Sequence, residues 1–296
     1  MALVKPLGDL PFVRANPALR AFVIGAWLGW QIESNWARPL LFAIYAVARP
    51  LASALLLVIM YSVITNGATQ EPLFAFIFIG NALYIVVSSV VSGISWAVID
   101  DREHYRVMKQ LHTAPMSYYS YLIGRGVARV GIGLTSFVIT MLVGVVFFQL
   151  PIALNTINWG LLILASIVGI IAMQGIGVIL GAITMQLASN LWFLGEGTIA
   201  ALYLFAGAIF PLDVLPEALQ PFGMFYPVTY WIELSRRALL GANAPTFHAM
   251  GAIPSETLLL ILTGMALFMA IASYIVYRLS LHRAKEMGRL DMETSF

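Results

Sequence analysis

Apolar residues in this chain do not alternate with polar ones; they run on. Six stretches stand out, approximately Pro39 to Ile64, Pro72 to Ile99, Gly126 to Phe148, Trp159 to Leu187, Trp192 to Ile209 and Thr257 to Tyr277. A helix rises about 1.5 Å per residue, so about 20 apolar residues cross a hydrocarbon layer about 30 Å thick. The pattern therefore predicts six transmembrane helices. Trp36, Trp96, Trp159, Trp192 and Trp231 fall near the expected span ends, where amphipathic indoles rest between lipid and water.

A different pattern precedes the first span. Leu19, Phe22, Val23, Ala26, Trp27 and Trp30 recur at helical spacing and predict one apolar stripe. The unbroken stretch Ala21 to Trp30 is too short to cross, and the two tryptophans suit a helix lying flat in the interface. A seventh membrane-inserted element is the alternative. Nothing in Met1 to Pro17 resembles the apolar core and small-residue cleavage site of a signal peptide, so none is expected.

Basic residues set the expected orientation, because cytoplasmic flanks carry the excess. Lys5, Arg14, Arg20 and Arg38 precede the first span; Arg102, Arg106, Lys109 and Arg125 lie between the second and third; Arg278, Arg283, Lys285 and Arg289 follow the last. The connections Thr65 to Glu71 and Gln149 to Asn158 have none. Both termini are expected to be cytoplasmic. Arg236 and Arg237, in a connection expected to be external, are the exception.

Composition supports lipid as the solvent: 60% of the 296 residues are hydrophobic and 10% charged, where soluble domains carry roughly 25% charged residues. A net charge of +2, without a basic patch, gives no reason to expect nucleic acid. There is no cysteine, hence no disulfide or thiolate site. The expected fold is an all-α membrane protein organised as residues 1–38, a cytoplasmic N-terminus with the interfacial helix; 39–280, a six-helix transmembrane domain; and 281–296, a cytoplasmic tail.

Catalytic patterns are missing from the sequence. His104, His112, His248 and His282 show no metal-ligand spacing, and no G-x-S-x-G elbow or phosphate-binding G-x-x-x-x-G-K-[ST] loop occurs. No metal, bound cofactor or enzymatic activity is expected of this chain. Gly175, Gly177 and Gly181 lie within an apolar run, where they suit close helix packing. Ionisable residues at membrane depth are costly, at least ~2.5 kcal/mol for a central arginine, and mark function. Arg49, next to Pro50, and Glu196 are the two candidates. A secondary transporter or channel would be expected to show more of them.

Two connections are informative. Residues 100–125 open with Ile99 to Pro115, a stretch of helical periodicity: His104, Val107, Met108 and Leu111 share one face, Arg102, Arg106 and Lys109 the other. Asp100 and Asp101 suit a helix N-terminus, and Pro115 ends it. This predicts a cytoplasmic helix, either an ordinary surface helix or one that docks a partner. Residues 210–241 are apolar yet broken by Pro211, Pro216, Pro221 and Pro227, which predicts helical pieces dipping partly into the membrane beside protein or a wet cavity. Tyr203, Phe205, Phe210, Phe222, Phe225, Tyr226 and Tyr230 make the region aromatic, for substrate contact or for plain packing.

In order and spacing together these features resemble the type-2 permeases of ATP-binding-cassette (ABC) exporters, over nearly the whole chain. The most specific parts are Glu103 through Leu111 to Pro115, Phe210-Pro211 through Leu215-Pro216, and Pro227 to Arg237 and Gly241. Where many members have a glycine, this chain reads Tyr105-Arg106-Val107. The resemblance implies a permease homodimer in a prokaryotic cytoplasmic membrane, bound to two cytoplasmic ATP-binding subunits that carry the ATP and Mg. It implies that Asp101, Arg102, Glu103, Arg106, Val107, Met108, Leu111 and Pro115 form the coupling helix. Arg49, Glu196, Tyr203, Phe210, Pro211, Pro216, Phe225, Tyr226 and Tyr230 would line or gate the substrate path. Outward movement of a hydrophobic or amphipathic drug or lipid is the implied function, with lipid-linked polysaccharide export as the alternative.

Overall fold

A computed structural model describes Val13 and residues 16–35, 39–65, 72–187, 191–244 and 249–289. Among the described residues all regular structure is helical. The helices are α1 (Pro17–Asn35), α2 (Pro39–Ile64), α3 (Pro72–Ile99), α4 (Met108–Thr113), α5 (Tyr118–Phe148), α6 (Trp159–Thr184), α7 (Leu191–Phe205), α8 (Gln220–Met224), α9 (Pro227–Leu240) and α10 (Ser255–Glu286).

Local chemistry sets the ends. The Asn16 side chain accepts from the amides of Ala18 and Leu19, Ser117 from Ser120 and Asn158 from Leu161, so α1, α5 and α6 start on side-chain caps. Pro72 and Pro227 open α3 and α9, where a missing N–H costs nothing. Gln149 ends α5 in the left-handed conformation, φ 51°.

Among the described residues four helices are long and apolar enough to cross a membrane: α3 extended through a wide turn to His104, α5, α6 and α10. Leu51–Ile64 of α2 and Phe193–Phe205 of α7 are shorter apolar helical stretches. Helix α3 is the axis of the fold. It packs against α2, α5, α6, α7 and α9, and most of its residues from Phe74 to Ile99 are buried. Around it the outer helices turn apolar side chains outward: Leu56, Val146, Phe147, Ile163, Leu267 and Ile271 are all more than half exposed. A surface of this kind needs lipid around it.

Helix α1 packs on the protein through a face other than its apolar stripe. Its buried face is Ala21, Gly25 and Gly29, whereas Trp30 is exposed. The stripe of Leu19, Phe22, Val23, Ala26 and Trp27 is only partly covered. Small residues let α1 lie directly on the backbone of α5: a Cβ on Gly25 would come 2.3 Å from the Tyr121 carbonyl oxygen, and one on Gly124 would come 2.2 Å from that of Phe22. Gly177 and Gly181 do pack closely, against Ile94 and Val98 of α3.

These contacts leave no room for one carbon. Gly124→Ala is expected to lower stability by about 1–3 kcal/mol through overpacking, read as a fall in the melting temperature of detergent-purified protein. Gly131→Ala, on the same helix with its nearest neighbour at 3.8 Å, should be neutral or stabilising.

Candidate functional site

The stretch from Ile99 to Pro115 is not one helix. It continues α3 through a π-helical turn, Asp100–His104, breaks at Tyr105 to Val107, and resumes as α4. The break is centred on Arg106, at φ 53°, a left-handed conformation that favours glycine. Asp100 and Asp101 accordingly sit at the C-terminal end of α3, not at a helix N-terminus.

Burial divides the expected coupling residues. Asp101, Arg102 and Met108 are buried, at 1%, 4% and 1% exposure; Glu103, Val107 and Leu111 are half-buried. Facing outward are Tyr105, Arg106, Lys109, Gln110, Thr113 and Pro115. The outward face is thus basic and polar, and it sits on a fixed base.

That base is a buried network. Asp101 accepts from Arg125 Nη1 at 3.2 Å, Tyr118 Oη at 3.0 Å and Tyr121 Oη at 3.3 Å. Arg125 also donates to Tyr121 Oη at 2.9 Å. Charge and hydrogen bonds together offset the cost of burying the carboxylate. Arg102 reaches the other way, donating to the carbonyls of Thr184 and Leu187 at the end of α6 and pairing with Glu103 at 2.9 Å. Free carbonyls at a helix C-terminus favour a cation there. In α4, His112 donates Nδ1–H to the Met108 carbonyl and its ring lies 4.5 Å from that of Tyr118. Burial, helped by nearby Lys285 and opposed by the Met108 carbonyl, holds the His112 imidazole below its ordinary value, so it is neutral near pH 7.

The expected path residues do not converge on one cavity. Glu196 is exposed on α7; the Arg49 side chain lies outside the described residues, on a helix that runs on through Pro50. Tyr203 is committed to packing, donating to Asn81 Oδ1 at 2.7 Å and lying 4.6 Å from the Tyr84 ring. Pro211 and Tyr230 are buried, Phe210 and Tyr226 half-buried, and Pro216 and Phe225 exposed. Pro211 borders a cavity of about 10 Å³ beside Glu233 and Arg236, far too small for a transported molecule.

The broken segment contains two arginines that the sequence reading noted only as an exception in the basic-residue pattern and did not count among the site residues. Arg236 is 3% exposed. It donates to the carbonyls of Phe76, Gly207 and Ala208 at 3.1, 2.7 and 3.0 Å, lies 3.5 Å from the centre of the Phe76 ring, and is 3.7 Å from Glu233. Arg237 donates to Glu233 at 2.9 Å and to the carbonyls of Met250 and Ile253. These two arginines are internal fastenings, partly neutralised by Glu233. A Glu-x-x-Arg-Arg run on one helix face was the available signal.

The description "ABC-2 family transporter protein" fits residues 44–276, from within α2 to within α10. The chain is a member of the ABC-2 transporter family. It is accordingly a multi-pass membrane subunit of an ABC transporter, and ABC-2 permeases work with ATP-binding subunits. The matched stretch takes in both the turn around Arg106 and the broken segment, and leaves out α1. None of the curated proteins compared matches this ABC-2 chain.

Removing one partner of a buried ion pair leaves the other charge uncompensated, at about 3–5 kcal/mol. Arg125→Met should therefore lower the melting temperature in detergent sharply. Arg125→Met combined with Asp101→Asn should recover part of the loss, and no recovery would mean that the ion pair is not what holds the turn.

Proposed function

We propose that this chain is the permease half of an ABC exporter, working as a homodimer on two ATP-binding subunits that carry ATP and Mg. In this reading it crosses a prokaryotic cytoplasmic membrane six times, with both termini inside, and residues 210–241 dip into the outer leaflet. Its substrate is a hydrophobic or amphipathic drug or lipid moved outward. The observation that carries the reading is the family match over a stretch that includes the turn and the broken segment.

Geometry adjusts the roles. Tyr105, Arg106, Lys109 and Gln110 supply the contact with the ATP-binding subunit, with Leu111 and Pro115 at its margin. Asp101, Arg102 and Met108 act from beneath, transmitting the push of that subunit to α5 through Arg125 and to α6 through Thr184. Glu196, turned outward from an apolar helix, lines the substrate path with Arg49; Phe225 and Tyr226 serve at the exit. The path forms between two copies, which accounts for its residues failing to enclose a cavity in one chain.

The test is purification of the chain from its host in mild detergent, with mass spectrometry of the proteins that remain bound. A stoichiometric ATP-binding subunit is expected, and a clean preparation without one would overturn the reading. In the purified complex, Lys109→Glu should lower transport-linked ATP turnover several-fold with the melting temperature unchanged. Arg106→Gly removes the contact side chain but relieves the left-handed backbone, so it should lower turnover less than Arg106→Val, which loses the side chain and is also strained there by about 1–2 kcal/mol.

A further inference from the structure

At the end of the bundle that carries α4, a pocket of about 380 Å³ opens between α4, the start of α5 and the last turns of α10. That volume lies within the ordinary range of ligand sites. Tyr119, Tyr274 and Tyr277 line it, with His112 from α4 and Arg278 and Lys285 from α10. No carboxylate lines it; adjacent Glu286 is paired with His282 at 3.1 Å. Arg278 and Lys285 are exposed, and neither forms an ion pair among the described residues. Arg278 instead lies 5.7 Å from the centre of the Tyr274 ring.

The same face of α10 continues away from the pocket as Ile271 and Ile275, which are 62% and 51% exposed, with Leu279 at 61% beside them. A helix repeats every 3.6 residues, so Ile271, Ile275, Arg278, His282 and Lys285 fall along one stripe. Its chemistry changes along its length: apolar toward the middle of the helix, cationic at its end. A small free anion would use only the cationic half. An anionic amphiphile uses both, and basic pockets between helices at a membrane surface suit phosphate headgroups.

We propose that this pocket holds the phosphate headgroup of an anionic phospholipid, with its acyl chains along Ile271 and Ile275, and that the bound lipid braces α4 against α10. The bracing role rests on the docking function proposed for α4; the binding site does not.

The test uses the full chain in detergent, given equal amounts of phosphatidylglycerol and phosphatidylcholine, with native mass spectrometry of what is retained. Preference for phosphatidylglycerol is expected. Arg278→Gln with Lys285→Gln should weaken that preference roughly 30-fold, the combined worth of two basic side chains at a charged surface, and each single variant should weaken it less. Arg283→Gln, an exposed charge outside the pocket, should leave it intact.

Absence of a preference in the unaltered chain, an unchanged preference in the double variant, or equal loss in Arg283→Gln would overturn the site. Displacement of the lipid by inorganic phosphate at matched concentration would overturn the lipid assignment in favour of a small anion. In the complex, exchanging phosphatidylcholine for phosphatidylglycerol should raise ATP turnover in the unaltered protein and not in the double variant; equal responses would overturn the bracing role. Retention is read on this chain alone, so failure to copurify an ATP-binding subunit is a separate result.

Discussion

A peptide carbonyl left without a partner in an apolar surrounding costs several kcal/mol, and this fold breaks its helices in such surroundings repeatedly. Arginine meets the cost. Arg102 takes the carbonyl of Leu187 just beyond α6 and shares that of Thr184 with the Leu187 amide, and Arg289 takes that of Gln186 beside them. Arg236 holds Gly207 and Ala208 just beyond α7, and Arg237 holds Met250 and Ile253 ahead of α10. A planar guanidinium with five donors can serve two or three carbonyls at once, which lysine cannot do with the same geometry. The breaks that shape the broken segment and the end of α6 depend on these side chains.

The same economy explains what was legible in the sequence. Apolar runs gave α2 and α3 with their bounds, because a helix in lipid needs only length and hydropathy. They missed the first turns of α5, since Tyr118, Tyr119, Tyr121 and Arg125 look like loop residues until their partner Asp101 is placed beside them. The packing face of α1 was missed for the opposite reason. Glycine carries no hydrophobic signal, yet Gly25 and Gly29 make the contact, so the face with the largest side chains was not the face that packs.

The stretch after α3 was legible as a helical, charged connection and misread in its details. Periodicity over Ile99 to Pro115 is continuous, and nothing in a count of apolar positions marks Arg106 as the left-handed residue. The departure from glycine at Tyr105-Arg106-Val107 was the clue. Here the chain keeps the backbone shape that glycine would favour and places a charged side chain on it. Arg236 was hidden for a related reason: a charge beside Glu233 on a short helix reads as solvated surface until the carbonyls around it are seen. The aromatic members of the candidate path were chosen by residue type, which does not distinguish Tyr203, committed to Asn81, from Phe225, left exposed.

The close seating of α1 on α5 has a mechanical meaning. With backbone against backbone at Gly25 and Gly124, and Arg129 of α5 paired with Glu33 of α1, the two helices have no compliant layer of side chains between them. They can tilt together but cannot slide past each other without collision. Asp101 and its network fasten the turn before α4 to the same end of α5. A displacement applied at that turn would be carried into α1 with little loss, as by a lever whose two arms are rigidly joined.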